Sequence, residues 1–175
     1  MTKEQFWWHG GPQMTNWSES WWDRDRTVSS LNEEGPGIYF TTDRQEAEGY
    51  GPYLYYATPS GFNPLPHRKP SKAFLMNLYN SASDEHKELF LSNWGIEGNN
   101  PMEGLSHYLH QDSLLDAATT LYSDLFQYDA QEYIDAMVGM GYDGVIVQKG
   151  SPGAKIRKHM VVWNPRKLII REFDG

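Results

Sequence analysis

Gly37-Ile38-Tyr39-Phe40-Thr41-Thr42-Asp43-Arg44-Gln45-Glu46-Ala47-Glu48-Gly49-Tyr50 changes its periodicity partway along. Ile38 to Thr41 is β-branched and aromatic and follows Gly35-Pro36-Gly37, the signature of a turn opening into a strand. Thr42 has Gln45 three residues on, a capping-box spacing, and Asp43 sits where the dipole of a helix favours an acid. The stretch therefore predicts a strand that runs directly into a helix opened by Thr42 and stopped by Gly49 or Gly51. Tyr39 lies at its start and Tyr50 at its end. Upstream, Trp7-Trp8-His9-Gly10-Gly11 is an apolar, aromatic run that closes on a histidine and two glycines. Residues 12 to 36 are polar, carry Trp17, Trp21 and Trp22, and include Asp23-Arg24-Asp25-Arg26. They read as a long loop or short irregular helix, a kind of segment often tied to function.

Downstream, Tyr53 to Ala57 reads as a strand and Asn63-Pro64-Leu65-Pro66 as a turn-rich exit. Residues 72 to 139 read as helical. Leu114, Leu115, Ala118, Leu121, Tyr122, Leu125 and Phe126 fall on one helical face. Asp129 with Glu132 repeats the capping-box spacing, and Ala130, Tyr133, Ile134, Met137 and Val138 follow on one face, with Gly139 or Gly141 as the stop. Asp143 to Gln148, Met160 to Trp163 and Leu168 to Glu172 then read as short strands. Strands, a helical block and strands again predict an α+β domain.

The length of 175 residues predicts one domain with a substantial core. Hydrophobic residues make up 39% and charged residues 22%, a balance expected of a folded chain rather than a disordered one. With no cysteine, neither a disulfide, a thiolate nucleophile nor a Cys-based zinc site can form, which fits a cytoplasmic protein. No stretch is apolar enough to span a bilayer, and no basic segment leads into an apolar one as in a signal peptide. The net charge of −8 disfavours nucleic acid as a partner. The cationic clusters are small: Arg68-Lys69 with Lys72, and Lys155, Arg157 and Lys158.

Of the residues that could carry chemistry, His9 alone means little, because a histidine at a strand end is commonly a satisfied hydrogen-bonding group. Gly10-Gly11 beside it admits a flat ligand or another backbone. Tyr39 and Tyr50 either pack in the sheet and its helix interface or stack on a ligand. His107 and His110, with Glu103 and Asp112, have a spacing compatible with a helical metal pair, but two histidines on a polar face usually face water; no metal is expected.

Taken together, Trp-Trp-His9-Gly10, Gly37-Ile-Tyr39-Phe and the second tyrosine at Tyr50 resemble the NAD-binding core of ADP-ribosyltransferases of the diphtheria-toxin and poly-ADP-ribose-polymerase kind. Gly141-Tyr-Asp-Gly-Val-Ile146 and Met160-Val-Val-Trp-Asn-Pro165 resemble the end of phage and bacterial ADP-ribosyltransferase-like domains. The likeness covers residues 6–66 and 139–172. It implies a split β-sandwich with a helical insertion over about 72–139, NAD as co-substrate, and transfer of one ADP-ribose unit to a protein with release of nicotinamide, as in a phage or bacterial effector. By the same likeness, the His9-Gly10 backbone would hold the carboxamide, the His9 ring would donate to the adenosine ribose, Tyr39 and Tyr50 would sandwich the nicotinamide, and Gly11, Phe40, Thr41 and Ala47 would line the site. His9, Tyr39 and His159 would be the catalytic set. The chain departs from the family pattern twice: Gly11 replaces a common Ser or Thr, and His159 stands where the family carries its catalytic glutamate. Polymer elongation is therefore not expected. The rival reading is a non-catalytic relative that binds a partner. A third is transfer to a nucleic-acid end, against which the charge argues.

Overall fold

The computed structural model describes residues 5–14, 16–17, 34–150, 153 and 155–174. The first strand is β1 (Trp7–Gly11), and β2 (Ile38–Thr41) passes at once into the short helix α1 (Arg44–Glu48). That helix starts one residue later than the sequence suggested. Asp43, not Thr42, is its N-cap, accepting from the Gln45 amide, and Gly49 is its C-cap. Thr42 is drawn elsewhere: its amide donates to the Lys158 carbonyl and its hydroxyl accepts from the Lys158 amide, so it extends the sheet rather than opening the helix. β3 (Tyr53–Pro59) follows, two residues longer than expected. Of the loop expected over 12–36, residues 15 and 18–33 lie outside the described residues, Trp21, Trp22 and Asp23 to Arg26 among them.

Five α-helices separate β3 from the last strands: α2 (Lys72–Asn80), α3 (Asp84–Asn93), α4 (Met102–Leu105), α5 (Leu114–Asp124) and α6 (Ala130–Gly139). Serines cap three of them. Ser71, Ser83 and Ser113 accept from the amides of Phe74, His86 and Asp116, and Asp129 does the same for Glu132. The capping box read at Asp129 is only half made, because the Glu132 carboxylate turns to the Ser83 amide at 2.6 Å and to His86. The apolar faces read from the sequence are buried: Leu114, Ala118, Leu121, Leu125, Phe126, Tyr133 and Met137 are at most 1% exposed.

β4 (Gly144–Lys149), β5 (Arg157–Val162) and β6 (Leu168–Glu172) complete a sheet of order β4-β5-β2-β1-β3-β6, with every pairing between these strands antiparallel. The molecule thus combines several helices with a six-stranded antiparallel sheet. Chain contacts divide it into two compact units, one holding the six strands and α1, the other α2 to α6.

In the first unit, Ile38, Phe40, Met160, Val161 and Val162 at the sheet centre are almost wholly buried. Each such side chain contributes roughly 1.5–3 kcal/mol relative to exposure. Asp143 clips the unit together. Its carboxylate accepts from the Asn63 amide at 2.8 Å and the Asn164 side chain at 3.0 Å, and its carbonyl from the amides of Trp163 and Asn164. Two of the stretches that carried the resemblance, Gly-Tyr-Asp-Gly and Trp-Asn-Pro, are joined by this one aspartate.

Candidate functional site

Antiparallel neighbours normally exchange hydrogen bonds at every second residue. β2 pairs with β5 along its whole length, from Ile38–Val162 to Thr41–His159, and β1 pairs with β3 from Trp7–Ala57 to Gly11–Tyr53. Between β1 and β2, by contrast, the ladder has a single paired position, Trp8 with Thr41. The sheet is parted there. The Tyr39 carbonyl, which continued pairing would have joined to the β1 backbone, accepts instead from His9 Nδ1 at 2.7 Å. The carbonyl can only accept, so Nδ1 carries the proton and Nε2 the lone pair of the neutral ring. Burial pushes the His9 ring below the usual histidine range, and the bond to Tyr39 only partly offsets this. His9 is 6% exposed and is ringed by Trp17, Phe40 and Tyr55, with centroids 5.3, 5.4 and 6.4 Å away.

The two glycines after His9 have different surroundings. A methyl on Gly10 would lie 1.7 Å from the Ala47 carbonyl oxygen, and one on Gly51 would lie 2.5 Å from Gly11 Cα. The close approach that Gly10 permits is therefore that of another backbone, α1, set directly against β1. At Gly11 the space is beside His9: a methyl there would come within 3.3 Å of Nε2. Nε2 itself is fully buried, so a side chain at position 11 would press on an enclosed ring.

Strand alternation sorts the remaining candidates. Trp8, Thr41, Tyr39, His159 and Val161 share one face through the pairs Trp8–Thr41, Tyr39–Val161 and Thr41–His159. α1 covers this face, since Ala47 meets Gly10 and the Arg44 guanidinium lies over the Trp8 ring. His9 and Phe40 belong to the other face. The structure thus puts Tyr39, Thr41 and His159 on the face that α1 covers and the His9 ring on the other, with His9 Nδ1 bonded to the Tyr39 carbonyl. Tyr39 is half-buried, and Tyr50, just past the end of α1, is 69% exposed.

His159 does not stand alone. Its Nε2 contacts one oxygen of Glu46, from α1, and Arg157 Nε contacts the other. Burial pushes the Glu46 carboxyl up, but hydrogen bonds from Thr41, His159 and Arg157 outweigh it and hold the group below the usual carboxylate range. One turn earlier, Asp43 receives Lys155 Nζ at 3.1 Å. Glu46 is the residue the sequence reading missed. Its signal was present as two matching periods: Asp43 and Glu46 fall on one helix face, while Lys155, Arg157 and His159 alternate along a strand.

In the other unit, His107 stacks on Trp94 with centroids 4.5 Å apart and planes at 11°. His107 and His110 lie in a 3₁₀ turn, Ser106–His110, rather than an α-helix. Among the described residues no group of three or more His, Asp or Glu side chains could hold a metal ion, and no helix is long and apolar enough to cross a membrane. No family model matches the chain, and neither a curated protein nor a solved structure matches it.

Proposed function

We propose that this chain is an NAD-dependent mono-ADP-ribosyltransferase that transfers one unit to a protein and releases nicotinamide. The observation that carries the reading is the parting of β1 from β2, with the His9 ring donating to the Tyr39 carbonyl in place of a ladder bond. In the family the flat carboxamide is held by the His-Gly backbone of the first strand, which here borders this seam. The opening falls at the residues that carry the family resemblance, His9-Gly10 and Tyr39. In this reading Tyr39 and Tyr50 supply stacking faces for the nicotinamide ring, worth about 0.5–1.5 kcal/mol each beyond burial. By the resemblance Thr41 and Ala47 belong to the site on the face under α1, and Phe40 beside His9 on the other face. The charge of −8 favours a protein acceptor over nucleic acid, and an effector acting in a cytoplasm accords with the lack of cysteine.

Incubation with NAD labelled in the adenylate, together with a bacterial lysate, tests this. The expected result is label on a discrete protein band with stoichiometric nicotinamide, both abolished by Tyr39→Ala. Absence of label and of nicotinamide release from folded protein contradicts it. A second reading, a partner-binding module on the same sheet, is favoured by one observation: the Glu46 carboxylate is already taken up by His159 and Arg157, a cluster that also staples α1 to β5. In that reading NAD does not bind.

A further inference from the structure

The cluster over β5 places a carboxylate beside the residue that stands where the family carries an acid. Glu46 arrives from α1, one turn past the Asp43 cap, and its two oxygens are shared between His159 Nε2 and Arg157 Nε. The side chains of His159 and Glu46 are 14% and 16% exposed, so the pair is enclosed but not sealed. An ionised carboxylate accepts only, which requires the proton of a neutral His159 to sit on Nε2 and leaves the lone pair on Nδ1. Among the described residues no hydrogen bond to His159 Nδ1 is present.

We propose that Glu46 and His159 form a carboxylate–imidazole dyad in which Glu46 is a positioning residue that fixes the ring, and His159 Nδ1 takes the proton of the acceptor group during transfer. The proposal rests on the transferase reading above. The step balances as follows. The bond between the ribose anomeric carbon and the nicotinamide nitrogen breaks with its electron pair left on nicotinamide, which departs neutral. The acceptor heteroatom bonds to the anomeric carbon and gives its proton to Nδ1, producing an imidazolium next to the Glu46 carboxylate. Arg157, Lys155 and Asp43 set the local charge around the pair, and the one carboxylate aligned with the ring offsets the cation that forms there. The dyad also explains why an imidazole can stand on β5: the negative charge is supplied from the helix instead of from the strand.

The test combines two-bond 1H–15N spectra of the histidine rings with steady-state nicotinamide release in the full chain, for the parent, Glu46→Gln and Glu46→Asp. In the parent at pH 8, His159 is expected as the Nε2-protonated tautomer. Glu46→Gln is expected to lose that single tautomer and to lower kcat by at least about tenfold with little change in KM, the size of a lost general-base contribution. Glu46→Asp is expected to restore part of both. A parent His159 protonated on Nδ1, or a folded Glu46→Gln that turns over as the parent does, overturns the dyad while leaving the transferase reading intact. No nicotinamide release by the parent overturns the reading itself and the dyad with it. The spectra of the parent keep the proposal decidable should Glu46→Gln fail to fold.

Discussion

Buried His9 and half-buried Glu46 are both held deprotonated by the fold, His9 neutral and Glu46 charged, and each sets a pH window. The folded state lowers the His9 pKa, so the unfolded chain binds more protons near neutrality. The stability tied to His9 is fully present above the unfolded value of about 6.5 and declines as pH falls below it. Glu46 is also lowered in the folded state. Its contribution is present above the unfolded value of about 4.3 and is lost as the pH falls through the folded one. Denaturant midpoints measured from pH 8 to 3 are expected to show two separate declines. His9→Gln should remove the upper one and lower stability at pH 7.5 by about 1–3 kcal/mol through the lost buried bond. A decline near pH 6 that persists in His9→Gln contradicts the assignment. Tyr50 is the opposite case, a large aromatic left mostly in water. Tyr50→Ala is expected to leave the unfolding midpoint within about 0.5 kcal/mol, yet weaken NAD binding by roughly 1–3 kcal/mol in calorimetry. Equal NAD affinities in the two proteins remove Tyr50 from the site.

The elements were legible in the sequence to the extent that local chemistry fixes them. The apolar face of α5 and α6 follows from residue spacing, and the strand order along the chain from β-branched runs. The helix starts were less legible, because Ser71, Ser83 and Ser113 are ordinary polar residues until a free amide lies within reach. Thr42 shows the competition directly. Two possible caps stand side by side, and the one adjacent to β5 joined the sheet while Asp43 took the helix. Gly10 illustrates a second limit. Its sequence context allows either a ligand or a backbone to approach, and only the packing of α1 on β1 decides for the backbone. Gly10→Ala is therefore expected to destabilise the protein by about 1–3 kcal/mol or more, as overpacking against a carbonyl does, with a lowered thermal midpoint even when no NAD is present. A midpoint equal to the parent's would mean that α1 does not rest on β1 as described.

At the scale of the molecule, what sequence could not supply was the face on which each side chain falls. Strand alternation within β5 was readable, and His159 and Val161 do share a face. The relation of β1 to β2 was not, because it depends on a register set by Trp8 and Thr41, which are far apart in the chain. That register puts His9 on the opposite face from His159, so the two histidines cannot act side by side. The charge partner of His159 was hidden for the same reason. Glu46 lies far from it in sequence and meets it only when α1 is laid over the sheet. In the proposed transferase reading, NAD binds along the β1–β2 seam and not on either face alone. Amide chemical-shift mapping of the 15N-labelled protein on addition of NAD tests this most directly. The account predicts perturbations concentrated at Gly10, Gly11, Tyr39, Phe40, Thr41, Ala47 and Tyr50; an unchanged spectrum, or shifts confined to residues 65–142, would contradict it.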